Sequence, residues 1–107
     1  KIGLASSSKN AKTIIEILGI QNEFETVVDG TMIVHSKPDP EIFLLAAKRL
    51  GIDPVDCLVF EDAEAGVEAA LAAGMKCVGV GNFTKLNRAN RVVDSIQNFN
   101  YHDLQKL

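Results

Sequence analysis

The sequence predicts an α/β domain in which a parallel sheet carries helices on both faces. Short aliphatic or β-branched runs alternate along the chain with segments whose apolar residues recur at helical spacing. The strand segments are almost continuously apolar, which is typical of strands that are buried on both faces. The length of 107 residues fits one small domain, so we assign residues 1–107 to a single unit.

Five strands and three main helices are predicted in strict alternation. In chain order, the strands are residues 1–5, 24–28, 57–60, 76–80 and 91–93. The helices are residues 11–18, 43–50 and 63–73, followed by a helical turn within 82–89 and a fraying final helix over 101–107. Gly19, Gly51 and Gly74 each follow the last apolar position of a helix, which is where glycine ends helices.

Composition excludes several classes of protein. The net charge is −3, with 11 basic and 14 acidic residues mixed along the chain, so no basic stripe suggests a nucleic-acid partner. No apolar run has the length of a membrane span, so we expect no membrane-spanning helix, and the sequence shows no charged-then-apolar leader with a cleavage site. Cys57 and Cys77 form no C-x-x-C motif, so we expect two buried, reduced thiols and a cytoplasmic location.

A serine-rich segment, Ser6-Ser7-Ser8-Lys9-Asn10, follows the first strand. In open parallel sheets, ligands bind at the carboxyl ends of the strands. Hydroxyl groups and the free amides of a first helical turn suit an anion at such a position. The alternative is that one serine only caps the helix.

A lysine precedes the helix at residues 43–50, in the segment Ser36-Lys37-Pro38-Asp39-Pro40-Glu41. The residue before a proline is held extended, so Lys37 can present a point charge to a phosphate. The alternative is a solvated loop lysine. His35 and His102 have no partners at ligand spacing, and we expect both at the surface.

Two adjacent acids, Glu61 and Asp62, follow the buried strand at residues 57–60. Their charges need compensation there, and Mg²⁺ is commonly held by one or two carboxylates together with phosphate and water oxygens. The alternative is that Asp62 caps the next helix while Glu64 favours its dipole. Taken together, the three segments predict a phosphate site with a divalent cation at one edge of the sheet.

These segments resemble motifs of the haloacid dehalogenase superfamily in order and spacing over essentially the whole chain. The serine segment resembles its second motif, Lys37 in K-P-x-P its third, and Glu61-Asp62 its fourth. The strings A-S-x-S-K-N, S-K-P-x-P-x-I-F-x-x-A-A and E-D-x-x-A-G are similar to the β-phosphoglucomutase branch.

The resemblance implies a role for each matching residue. Ser6 and the backbone of Ser7 would hold the transferring phosphoryl group, and Lys37 would neutralise its charge. A second phosphate of a phosphorylated sugar would contact Ser8, Lys9 and Asn10, and Mg²⁺ would be held by Glu61 and Asp62. The implied reaction moves a phosphoryl group between C1 and C6 of β-glucose phosphate through an aspartyl-phosphate, chiefly by positioning and charge stabilisation.

The family's first motif, D-x-D-G, has no counterpart. Asp29-Gly30 does not fit it, because Val27 stands two residues before Asp29. The nucleophile, the acid/base and the cap domain are therefore absent, and we expect this chain alone to be inactive. Alternatives to the mutase are a sugar-phosphate or phosphoglycolate phosphatase of the same family, and a non-catalytic fragment that binds phosphate or metal.

The absent nucleophile strand would lie between the strands at residues 1–5 and 57–60, leaving two unpaired inner edges. We expect one of three outcomes. Another chain supplies the strand, the two edges close on each other, or an N-terminal part of the same protein completes the sheet.

Overall fold

The computed structural model describes all 107 residues, and its strands and helices follow the predicted order. The strands are β1 (Gly3–Ala5), β2 (Thr26–Val28), β3 (Leu58–Glu61), β4 (Lys76–Val80) and β5 (Arg91–Val93). The α-helices are α1 (Ala11–Ile17), α2 (Glu41–Leu50), α3 (Glu64–Ala72) and α4 (Phe83–Leu86). The predicted final helix is a 3₁₀ helix over Tyr101–Lys106, and three further 3₁₀ turns link other elements.

The strands form two parallel sheets rather than one. β1 pairs with β2, and β3, β4 and β5 pair in that order. No ladder joins β1 to β3, so the expectation that these two edges close on each other is wrong. The reason lies in the helices: α2 packs on β1, β2 and α3 together, and holds the two sheets through side chains instead of backbone hydrogen bonds.

One hydrophobic core spans both sheets. It contains Val28 of β2, Ile42 of α2, Val59 of β3, Val67 of α3 and Cys77 of β4. α2 ends where Gly51 takes the left-handed conformation, at a φ of 70°, which glycine adopts without strain. None of the four α-helices combines the length and the apolar character that crossing a bilayer requires.

The two cysteines differ in burial, which corrects part of the sequence prediction. Cys77 is fully buried, but Cys57 is only half-buried beside the 3₁₀ turn Pro54–Asp56. Burial raises the pKa of the Cys77 thiol to about 11, and the nearby Glu61 carboxylate adds to this shift. Burial also raises the pKa of Cys57, helped by Asp56. Both cysteines are free.

Candidate functional site

An ion pair between Lys37 and Glu61 is the centre of the candidate site. The Lys37 Nζ lies 2.8 Å from the Glu61 Oε2, and the two side chains are only 16% and 11% exposed. The same ammonium lies 5.0 Å from the centroid of the Phe43 ring, within the range of a cation–π contact. The pair joins the segment after β2 to the end of β3, so it bridges the two sheets. The interpretation of Lys37 as a solvated loop lysine is therefore wrong.

The loop that carries Lys37 is held by the carboxylate of Glu41, in the first turn of α2. Its oxygens accept hydrogen bonds from the backbone N–H of Val34, at 2.8 and 3.0 Å, and from that of His35, at 3.0 and 3.4 Å. The N–H groups of His35 and Val34 lower the pKa of Glu41. Asp39 accepts the backbone N–H of Glu41 at 2.9 Å. The Lys37–Pro38 peptide bond within this loop is cis.

Both histidines lie at the surface, as the sequence predicts. The side chain of His35 is 70% exposed, and its Nδ1 lies 3.8 Å from a Glu41 oxygen. His102 is exposed in the C-terminal 3₁₀ helix. Neither residue reaches the Lys37–Glu61 pair through a hydrogen bond.

The two predicted metal ligands have different surroundings. The Glu61 Oε1 accepts the backbone N–H of Asp62 at 3.2 Å, and its Oε2 is paired with Lys37. Asp62 is exposed and caps nothing, because α3 has Ala63 at its N-cap with no side-chain hydrogen bond. The alternative of Asp62 as a helix cap is therefore wrong, and its carboxylate is open to solvent.

The side chains of the serine segment make only local hydrogen bonds. The Ser6 Oγ accepts the N–H of Ser8 at 3.2 Å, and the Ser8 Oγ accepts the N–H of Asn10 at 3.1 Å. Ser8 therefore satisfies an amide at the start of α1, much as a cap does, while both hydroxyl protons stay available to an anion. Ser7, Lys9 and Asn10 are exposed, and no hydrogen bond joins the segment to Lys37 or Glu61.

The sequence-based candidates omit Gly30, which supports this segment, and Asp29, which precedes Gly30 in the turn after β2. Gly30 donates its N–H to the Ser8 carbonyl at 3.1 Å, and a Cβ at position 30 would overlap the carbonyl oxygen of Ser7. Asp29 is 3% exposed and accepts the N–H and hydroxyl of Thr31, at 2.9 and 2.5 Å, which lowers its pKa. The D-G dipeptide after β2 was the available signal, but by itself it indicates only a turn.

The residues present fit part of a magnesium shell. Glu61 and Asp62 supply the carboxylate oxygens that Mg²⁺ prefers. The structure contains no group of three or more His, Cys, Asp or Glu residues able to hold a metal. Further ligands would therefore have to be water, phosphate oxygens or groups from outside these residues.

Comparison with known proteins gives consistent relatives. The β-phosphoglucomutase of Bacillus subtilis (strain 168) is 50% identical over 93 residues, which are 87% of this chain and 41% of that protein. The fructose-1-phosphate phosphatase of Escherichia coli (strain K12) is 44% identical over 79 residues, which are 74% of this chain and 42% of that protein. The crystal structure of a β-phosphoglucomutase from Clostridium difficile matches with a TM-score of 0.92 and 44% identity, over 99% of this chain and 48% of that one.

The chain spans less than half the length of each of these three relatives. A family model described as haloacid dehalogenase-like hydrolase matches residues 1–74, which is more than half of the chain. The order of strands and helices and the three matching motifs agree with that result. This chain therefore belongs to the haloacid dehalogenase-like hydrolase family, and it resembles the β-phosphoglucomutases within it.

Proposed function

We propose that this chain is the phosphate-holding and magnesium-holding part of a phosphotransferase, and that the parent enzyme is a β-phosphoglucomutase. One observation carries the proposal: Lys37 and Glu61 meet at 2.8 Å where β3 ends, although 24 residues separate them in sequence. A pair of opposite charges at this edge can serve a phosphate and a cation at once. The identity to the Bacillus subtilis mutase supports the choice of reaction.

The proposal assigns the phosphate contacts to two segments. The Ser6 hydroxyl and the Ser7 backbone hold the transferring phosphoryl group, and Lys37 neutralises its charge. The second phosphate of a phosphorylated sugar contacts Ser8, Lys9 and Asn10. A hydrogen bond between a charged lysine and a phosphate oxygen is stronger than one between neutral groups. The attraction between Lys37 and the phosphate is largest when water is excluded from the site, because the local dielectric constant is then low.

The proposal assigns Mg²⁺ to Glu61 and Asp62. When bound, the ion would neutralise charge on the phosphoryl group. Asp62 is exposed and ready to accept a cation, whereas Glu61 already shares an oxygen with Lys37. Glu61 therefore links the cation-binding side of the site to the phosphate-binding side.

The reactive carboxylate lies outside residues 1–107 in this proposal, so the chain alone should be inactive. β1 pairs only with β2, and β3 pairs only with β4, so each keeps one unpaired edge. We propose that another segment or another chain adds a strand between them and completes the site. The two free thiols suit a reducing compartment, which favours the cytoplasm.

A sugar-phosphate phosphatase is the second candidate. The 44% identity to the Escherichia coli fructose-1-phosphate phosphatase favours it. Both reactions use the same phosphate and magnesium contacts, so residues 1–107 do not separate them. The difference lies in whether water or a sugar hydroxyl accepts the phosphoryl group.

Two measurements test the proposal. For the parent enzyme, β-glucose 1-phosphate should yield glucose 6-phosphate in the presence of Mg²⁺; release of inorganic phosphate as the main product would instead favour the phosphatase. For the 107-residue chain, Mg²⁺ with inorganic phosphate should shift the amide resonances of Ser6 to Asn10, Lys37 and Glu61-Asp62. Shifts confined to other residues would contradict the assigned site, and turnover by the chain alone would contradict its inactivity.

A further inference from the structure

We propose that Gly66 is a positioning residue, which keeps open the space that the Glu61 side chain needs in order to pair with Lys37. This inference deepens the proposed function and rests on it where Glu61 is taken to bind Mg²⁺. The close approach of Gly66 to the Glu61 side chain does not depend on metal binding, because it results from the short distance between α3 and the end of β3.

The surroundings of Gly66 point to one neighbour. It is the third residue of α3 and is buried. The three heavy atoms nearest to an added Cβ would be the Cγ, Cδ and Oε2 of Glu61, and all three would overlap it. Oε2 is the atom that Lys37 contacts at 2.8 Å, so a methyl group at position 66 competes directly with the paired oxygen.

The backbone gives no other reason for glycine at this position. The glycines with positive φ are Gly19, Gly51, Gly74 and Gly81, so Gly66 has a conformation that any residue adopts. Glycine is a poorer helix former than alanine, and α3 uses alanine at positions 65, 69, 70 and 72. The one glycine within this alanine-rich helix is the residue that faces Glu61.

Displacing Glu61 would change both of its partners. Its Oε1 would leave the N–H of Asp62, and its Oε2 would leave Lys37, which has no other ion pair in the structure. The Lys37 side chain is only 16% exposed, so few water molecules could replace the lost carboxylate oxygen as its partner. Gly66 therefore acts on the site through Glu61, without a side chain of its own.

A double-mutant cycle of Gly66→Ala and Glu61→Ala in the 107-residue chain tests whether Gly66 acts through Glu61. Glu61→Ala is the matched background, because it removes the Cγ, Cδ and Oε2 atoms that the new methyl group would overlap. The first readout is the Mg²⁺ dissociation constant from calorimetry. Gly66→Ala should weaken binding by about 10- to 100-fold, as Glu61→Ala does, and the double variant should be no weaker than Glu61→Ala. Equal, additive losses in both backgrounds would overturn the proposal.

The second readout is the midpoint of urea unfolding, which needs no metal. Gly66→Ala should raise the midpoint in the Glu61→Ala background, where alanine is simply the better helix former, and should lower it or leave it unchanged when Glu61 is present. Folding of the double variant but not of Gly66→Ala would also support the proposal. The same shift in both backgrounds, or failure of both to fold, would refute it. Absence of Mg²⁺ binding by the unmodified chain would reject the metal assignment in the proposed function, while the urea cycle would still decide the role of Gly66.

Discussion

The two sides of the candidate site differ in how firmly the fold holds them. Lys37 is tied to Glu61, lies over Phe43, and belongs to a loop that Glu41 clamps through two backbone amides. The side chains of the serine segment make hydrogen bonds only within the segment, its backbone is joined to Val28 and Gly30, and most of it is exposed.

The two sides of the site therefore differ in how far they are positioned before a ligand binds. The charged side is preorganised, so in the proposed function a phosphate would meet a lysine that is already in place. The serine side keeps its hydroxyl protons free and, in the proposed function, would gain its remaining partners on binding an anion. We therefore expect substitutions on the charged side to cost more than substitutions on the serine side.

The largest effect is expected for Lys37→Ala. The substitution removes a charge that, in the proposed function, would stabilise the phosphoryl group, and it leaves the 11%-exposed Glu61 without its cation. We expect kcat of the parent enzyme to fall by about 10²- to 10³-fold, measured from initial rates with saturating Mg²⁺. Lys9→Ala is the corresponding substitution on the serine side, where the proposed function places Lys9 on the second phosphate. Lys9 is exposed and has no ion pair, so its loss should lower kcat less; an equal loss would remove the distinction between the two sides.

Gly30→Ala should have the next largest effect. A Cβ there would overlap the backbone carbonyl of Ser7, which cannot move aside as a flexible side chain would. We expect the free energy of unfolding to fall by about 1–3 kcal/mol, measured by urea denaturation. Phosphate binding should weaken as well. A neutral result would mean that the serine segment is looser than the structure indicates.

Ser8→Ala should have a smaller effect. It removes the acceptor of the Asn10 N–H at the start of α1, which should cost about 1 kcal/mol of unfolding free energy. Ser7→Ala is the control, since the Ser7 hydroxyl makes no hydrogen bond and its loss should leave stability nearly unchanged. Equal losses for Ser7→Ala and Ser8→Ala would show that the hydrogen bond contributes little.

The smallest effect should be on the acid sensitivity of the clamped loop. The pKa of Glu41 is lowered in the folded chain, so its stabilising contribution is present above its ordinary value of 4.5 and is lost as the pH falls through the folded value. When the pH is lowered from about 7 to about 3, the urea midpoint of Glu41→Gln should therefore fall less than that of the unmodified chain. Parallel pH profiles would show that the clamp does not depend on the charge of Glu41.

The order of strands and helices and the candidate site residues could be predicted from the sequence alone. β4 and β5 lie where the apolar runs predict them, and Gly51 and Gly74 end α2 and α3 with positive φ, because these signals depend only on near neighbours. The motifs at Lys37 and at Glu61 also indicated the family, which the match to residues 1–74 confirms.

Which of these residues contact each other depends on the tertiary packing. That Lys37 pairs with Glu61, and that Gly30 and Gly66 make room for Ser7 and Glu61, depends on how α2 and α3 pack on the two sheets. The same packing leaves β1 and β3 unpaired with each other, although one of the three outcomes expected from the sequence was that these two edges close on each other. Periodicity and capping describe contacts within one turn or strand, whereas a contact across 24 residues is fixed by the shared core.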